Sequence, residues 1–129
     1  MPMSKWYNPL VTAVLRSPLH GVMSGNTLLL TYTGRKSKRA YTFPISYGRQ
    51  GNEIYLITHP DKPWWKNVRG GADVTVRVRG QDQPGHAEVL EVDPAQKLTH
   101  IELVYRGIPH AQAEKIAPDM LVVRVTLTP

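Results

Sequence analysis

The densest group of reactive side chains in this sequence is Thr33-Gly34-Arg35-Lys36-Ser37-Lys38-Arg39, four cations within five positions with a hydroxyl among them. Guanidinium forks, ammonium charges and a short hydroxyl together suit a phosphate or a carboxylate-rich group. Gly34 permits the tight turn that would present them. The order is not that of a Walker loop, and no helix pattern follows it. The same residues on a loop tip would otherwise form a solvated basic hairpin. A second group runs from Thr58 through His59, Pro60, Asp61, Lys62, Pro63, Trp64, Trp65, Lys66, Asn67 and Val68 to Arg69. Two adjacent indoles on a short helical segment cannot both enter one core, so one is expected on a pocket wall or a rim. Asn67 and the free amides at the start of that segment offer polar contacts to a ligand. The alternative is that one Trp plugs the core and the other covers its end.

Several chemistries are missing. The chain has no cysteine, which excludes disulfides, thiolate zinc sites and Cys nucleophiles. Its five histidines (His20, His59, His86, His100, His110) show no HExxH or paired metal spacing, so no metal site is expected. There is no GxSxG nucleophile motif. Glu91 and Asp93 flank a helix start, where capping is their expected work. Tyr105 on the late helix is a candidate pocket residue, with plain packing as its alternative.

The charge distribution favours an anionic partner. Segment 35–79 holds ten cations against Glu53, Asp61 and Asp73, a net of 10 − 3 = +7, whereas the whole chain is +6. A field concentrated in this way attracts nucleic acid, a phosphorylated cofactor or a lipid headgroup.

The elements that must position these groups read mostly as strands. With 129 residues, a single domain over 1–129 is expected. Asn8-Pro9 and Ser17-Pro18 start short helical stretches in an arm over 1–25, with Leu10, Val11, Val14 and Leu15 at helical spacing. Strands are expected at Thr27–Thr33, Ala40–Tyr47, Glu53–Thr58, Asp73–Arg79, His86–Val92 and Met120–Thr128, with Gly80–Gly85 as a turn. Helical segments are expected near 63–69, 94–106 and 109–117. Pro44 inside the second strand marks an edge, a bulge, or a stretch whose amides face something other than a strand. Six short strands with a late helical insertion do not read as βαβ units, and closing the sheet hides its edges. The expected fold is therefore mainly β (α+β), a six-stranded and mostly antiparallel barrel. It carries an N-terminal helical arm and a helical insertion before the last strand.

Taken together, Thr33-Gly34-Arg35-Lys36-Ser37, Thr42-Phe43-Pro44-Ile45, Ile57-Thr58 and Pro63-Trp64-Trp65-Lys66-Asn67-Val68 resemble the deazaflavin-dependent nitroreductase family. Its pattern runs T-G-R-K-S-G, then T-P-V, then a strand ending in Ser, then H-P-x-W-Y-x-N-L. The resemblance covers about Asn26 to Val78. It implies a split β-barrel like that of pyridoxamine-phosphate oxidase, binding of coenzyme F420 or, alternatively, FMN, and hydride transfer to a quinone, nitro compound or activated enone. Arg35, Lys36 and Ser37 would meet the coenzyme's phosphate and acidic tail, with Lys38 and Arg39 adding charge. Pro44 and Ile45 would lay backbone against the ring, and Thr58, Trp65 and Asn67 would frame it. Water or Tyr105 is the candidate proton source for a reduced product. The chain departs from the pattern at Lys38 in place of Gly, at the short stretch Thr58 to Pro63, and at Trp65 in place of Tyr.

A cytoplasmic reductase acting on a small molecule, as monomer or homodimer, is the resulting expectation, with contact between the arm and a membrane surface left open. A nucleic-acid-binding barrel, stacking bases on Tyr41, Tyr47, Trp64 and Trp65, is the competing reading.

Overall fold

A computed structural model describes residues 27–128. The expected arm over 1–25 lies outside them. Six strands, β1 (Thr27–Thr33), β2 (Ala40–Gln50), β3 (Glu53–Thr58), β4 (Ala72–Val78), β5 (Gln81–Leu90) and β6 (Leu121–Leu127), close into a barrel in the order β1-β2-β3-β6-β5-β4. Every neighbouring pair is antiparallel. A 3₁₀ turn (Pro63–Asn67) links β3 to β4. Helices α1 (Pro94–Val104) and α2 (His110–Ile116), then a short 3₁₀ turn (Ala117–Asp119), precede β6.

The alternation of apolar residues decides which side chains fill the barrel. Leu28, Leu30 and Tyr32 of β1, Val74, Val76 and Val78 of β4, and Val123, Val125 and Leu127 of β6 point into one continuous core. On β3 both faces are buried. Ile54 and Leu56 enter the barrel, while Tyr55 and Ile57 face outward under Ile101 and Val104 of α1 and Ala113 of α2. This explains why EIYLIT reads as a continuous apolar run and not as an alternation. Helix α1 starts as the sequence predicts. The Asp93 carboxylate accepts from the Gln96 amide at 2.8 Å and the Gln96 side chain accepts from the Asp93 amide at 3.4 Å, a complete capping box.

One expectation is corrected. Gly80–Gly85 is not a turn; β5 already begins at Gln81, opposite Val78. The reversal is made by Arg79 and Gly80 alone, both left-handed at φ 51° and 81°. Pro84 and Gly85 read as breakers, yet both pair within the β4–β5 ladder. Pairing of β5 with β6 begins only at Gly85, so Pro84 sits where a missing amide costs little.

Pro44 is accommodated differently. It pairs with Leu29 of β1 in an unbroken register, so it marks no bulge. The β2–β3 ladder runs only from Tyr47 to Gln50 and does not extend over the first part of β2. A proline fits a ladder only where its missing N–H would face away from the partner strand, here toward the open side. The barrel wall therefore parts between the first half of β2 and the end of β3.

Helix α1 holds the other half of β2 in place. A Cβ at Gly48 would stand 2.6 Å from Leu103 Cγ and 2.9 Å from the Leu103 backbone. Gly48→Val is expected to lower stability by about 1–3 kcal/mol through forced separation of helix and strand. Urea unfolding checks this, and unchanged stability would mean that α1 does not rest on Gly48.

Candidate active site

The parting of β2 from β3 opens into a cleft of about 610 Å³. Its walls are Phe43, Pro44 and Ile45 from β2, Ile57 and Thr58 from β3, and His59, Lys62, Pro63 and Trp64 from the following loop and turn. Tyr32 of β1 and Tyr105 and Met120 from the helical insertion complete it. The volume falls in the range of small-molecule sites, about 300–1,000 Å³, and the lining has the usual character of apolar walls with a few polar groups.

Trp64 forms one wall. It is buried, its ring centroid lies 5.2 Å from that of Phe43, and its indole N–H donates to Thr58 Oγ1 at 3.0 Å. The Thr58 hydroxyl in turn donates to the His59 carbonyl at 3.4 Å. Thr58 is the one buried polar residue of the described chain, and Trp64 explains why it is tolerated there. Behind this wall Tyr32 is only 1% exposed, and its hydroxyl has no hydrogen-bond partner. Burial, with a smaller contribution from Tyr41, holds the Tyr32 phenol above its ordinary range. Burial likewise raises the Tyr105 phenol, so both keep their protons near neutrality.

The basic turn 34–39 lies beside the cleft, attached to the segment that forms its wall. Arg35 makes that attachment. Its amide donates to Asn67 Oδ1 at 3.0 Å, its Nε to the Asn67 carbonyl at 3.2 Å, and its Nη2 to the Arg69 carbonyl. Asn67 passes the contact on, its Nδ2 donating to the Trp64 carbonyl at 3.2 Å. Inside the turn the Ser37 and Tyr41 hydroxyls lie 2.6 Å apart, and the Arg39 amide donates to Ser37 Oγ at 3.3 Å. A Cβ on Gly34 would meet Ser37 Oγ at 2.6 Å and the Tyr41 ring at 2.8 Å, so only glycine lets this turn close. Lys38 adopts φ 61°, a left-handed conformation that a glycine would take without strain. The side chains of Lys36, Lys38 and Arg39 are exposed and form no ion pair among the described residues.

The structure thus divides the sequence-predicted site residues into two groups. Pro44, Ile45, Thr58 and Tyr105 line the cleft. Arg35, Lys36, Ser37, Lys38, Arg39 and Asn67 form the adjoining cationic turn and its anchor. Trp65 belongs to neither: its indole N–H donates to the Pro60 carbonyl at 2.9 Å and Arg69 stacks 5.2 Å above its ring. Trp64, not Trp65, faces the cleft. Phe43, Ile57, His59, Lys62 and Met120 were not singled out; Lys62 and His59 stood in the quoted second group, while Met120 carries no sequence signal. Among the described residues no group of three or more His, Cys, Asp or Glu is placed to hold a metal ion, and no helix is long and apolar enough to cross a membrane. Tyr41, Tyr47 and Trp64, the stacking platforms of the nucleic-acid reading, are all buried.

The family model described as F420H(2)-dependent quinone reductase matches residues 13–127. The chain belongs to this family. Among solved structures, the fold of this quinone reductase family member is similar to an F420-H2 dependent reductase (TM-score 0.59, 20% identity, covering 78% of this chain and 93% of that one). It is also similar to a Listeria innocua protein provisionally described as a pyridoxamine 5′-phosphate oxidase (0.61, 15%, 94% and 93%). A third similar structure is the FAD and heme binding protein of Mycobacterium smegmatis (0.54, 19%, 80% and 61%). At these identities the likeness speaks for a shared split barrel. No curated protein matches the chain.

The bond between Trp64 and Thr58 supplies a stability test. Thr58→Val keeps the shape but leaves the buried indole N–H without an acceptor, and is expected to cost about 1–3 kcal/mol in urea unfolding. Thr58→Ser, which keeps the acceptor, should lose clearly less; equal losses would rule out that bond as the cause.

Proposed function

We propose that this chain is an F420-dependent reductase that passes a hydride to a small electron-poor acceptor of the quinone, nitro-compound or activated-enone class. The observation that carries the reading is an apolar, aromatic-walled cleft whose Trp64 wall is joined through Asn67 to a turn of cations that form no ion pair among the described residues. A flat heteroaromatic ring on an anionic tail matches both halves at once.

When bound, the deazaflavin supplies the hydride. The chain's residues supply position and surroundings. Phe43 and Trp64 form the aromatic wall, and the Pro44 and Ile45 backbone, outside the β2–β3 ladder, lines the cleft for the ring. Lys36, Lys38 and Arg39 are the cations available to the tail, with Ser37 beside them. Arg35 serves this site as an anchor: its amide and Nε bind Asn67 and its Nη2 the Arg69 carbonyl, which ties the cationic turn to the wall segment, while Nη1 and its charge stay available to the tail. Tyr105, whose burial keeps its phenol protonated, is placed to donate a hydrogen bond to the acceptor's oxygen. The unpartnered hydroxyl of Tyr32 gives the cleft floor a further polar group.

The decisive experiment is a titration of the protein with F420, FMN and NADP(H) in parallel, following the tryptophan emission to which Trp64 contributes. Saturable quenching by F420 at micromolar concentration is expected. Saturation by FMN alone would move the reading to a flavin-binding barrel, and no saturation by any of them would remove it. Lys38→Gly separates binding from folding. Relief of the left-handed lysine should raise stability by about 0.5–1 kcal/mol. Loss of the charge should weaken F420 about two- to fivefold at low salt, with the difference shrinking as salt is added. Unchanged affinity would take Lys38 out of the tail site.

A further inference from the structure

Reducing a carbonyl or quinone acceptor requires a proton as well as a hydride, and the cleft holds one residue built to deliver it. We propose that His59, oriented by Asp61, is the general acid that protonates the reduced acceptor, an assignment that rests on the reductase reading above. His59 lines the cleft immediately after Thr58. Its Nδ1 lies 2.9 Å from Asp61 Oδ1, and Asp61 itself stands outside the cleft, 71% exposed at its side chain. Two Asp61 groups face Nδ1, the carboxylate at 2.9 Å and the backbone amide at 3.5 Å; with the carboxylate as the nearer partner Nδ1 keeps the N–H in the neutral ring, so Nε2 is the atom that releases and regains the proton. Among the described residues no hydrogen bond occupies Nε2.

The loop that carries the pair is tied at three points. The His59 carbonyl accepts from the Lys62 amide at 3.0 Å and from the Thr58 hydroxyl, and the Pro60 carbonyl accepts from the Trp65 indole. The imidazole is therefore held relative to the Trp64 wall, as an acid acting on a bound acceptor must be. Its side chain is 47% exposed, which lets solvent restore the proton without opening the core.

The other polar residues of the cleft suit the step less well. The Tyr105 phenol is made a weaker acid by burial. The Thr58 hydroxyl is committed to Trp64 and to the His59 carbonyl. Lys62 ends a flexible tether and serves as a point charge.

The step balances simply. Hydride addition to the acceptor leaves an oxyanion, the Nε2–H bond of the imidazolium breaks as the O–H bond forms, and neutral His59 recovers its proton from water. Asp61 stays a carboxylate throughout and is a positioning residue. The other titratable groups lining the cleft are Lys62, Tyr105 and Tyr32, with Asp61 beside His59.

The test uses the intact protein with reduced F420 and menadione. His59→Ala should lower kcat about a hundredfold, the lower end of general-acid contributions, while F420 affinity from tryptophan quenching changes less than twofold. Imidazole added to the buffer should restore turnover saturably. Wild-type kcat should fall as pH rises, and His59→Gln should remove that limb. Asp61→Asn should lose less. Wild-type turnover with an unaltered pH profile in both His59 variants would overturn the assignment, as would a loss that imidazole does not restore in a protein that still binds F420. If the wild-type protein neither binds nor oxidises reduced F420, the reductase reading falls and takes this assignment with it.

Discussion

The molecule depends on one unfinished piece of pairing. A six-stranded barrel of this length would be sealed if β2 ran beside β3 for its whole course. Pairing instead starts at Tyr47, opposite Leu56, while the stretch of β2 before it, with a proline in its middle, pairs with β1. Pro44 has no amide to offer on its free side, so the sheet cannot close over it. The gap is also kept from collapsing, since Phe43 and Trp64 pack on each other behind it and Gly48 brings α1 down on the other half of the strand. A barrel whose core is otherwise continuous thus keeps a binding-sized opening without a buried strand edge going to waste.

The second organising feature is the use of Arg35. A guanidinium in a cationic loop invites the reading that it meets the anion. Its donors are directed at the chain's own carbonyls, and the consequence is mechanical. It fastens the β1–β2 turn to the 3₁₀ turn through Asn67, and Asn67 reaches on to Trp64. The remaining cations are then held next to the aromatic wall instead of being spread along a free hairpin. Charge repulsion among them is the cost of that arrangement, and an anionic tail is the natural relief.

Residues remote in sequence complete the opening. Tyr105 closes the end of α1 and Met120 precedes β6, and both reach the cleft because the helical insertion packs on the outer face of β3 and β6. The same insertion buries Tyr55 and Ile57, so the strand that frames the cleft is held from both sides and its last residues, Thr58 and His59, are presented at a defined place.

The strands, the capping box at Asp93 and the fold class were legible in the chain itself, because local periodicity and cap chemistry act over a few residues and need no partner. The four motif fragments carried the family, since their spacing reflects one particular barrel. Legibility failed where the decision was made at a distance. Pro84-Gly85 reads as a turn locally, and only its pairing with Thr75 and Val74 of β4 makes it strand. Trp64 and Trp65 are indistinguishable as neighbours; Thr58 and Phe43 draw one inward and Pro60 and Arg69 hold the other outside. Arg35 reads as a ligand for anions, and only the fold shows that the Asn67 and Arg69 carbonyls, thirty-odd residues on, also take its Nε and Nη2. Sequence alone determined which residue types were available and which short elements they would build. Tertiary structure decided which polar groups were consumed internally and which were left for a ligand, because a hydrogen bond is assigned by proximity in space.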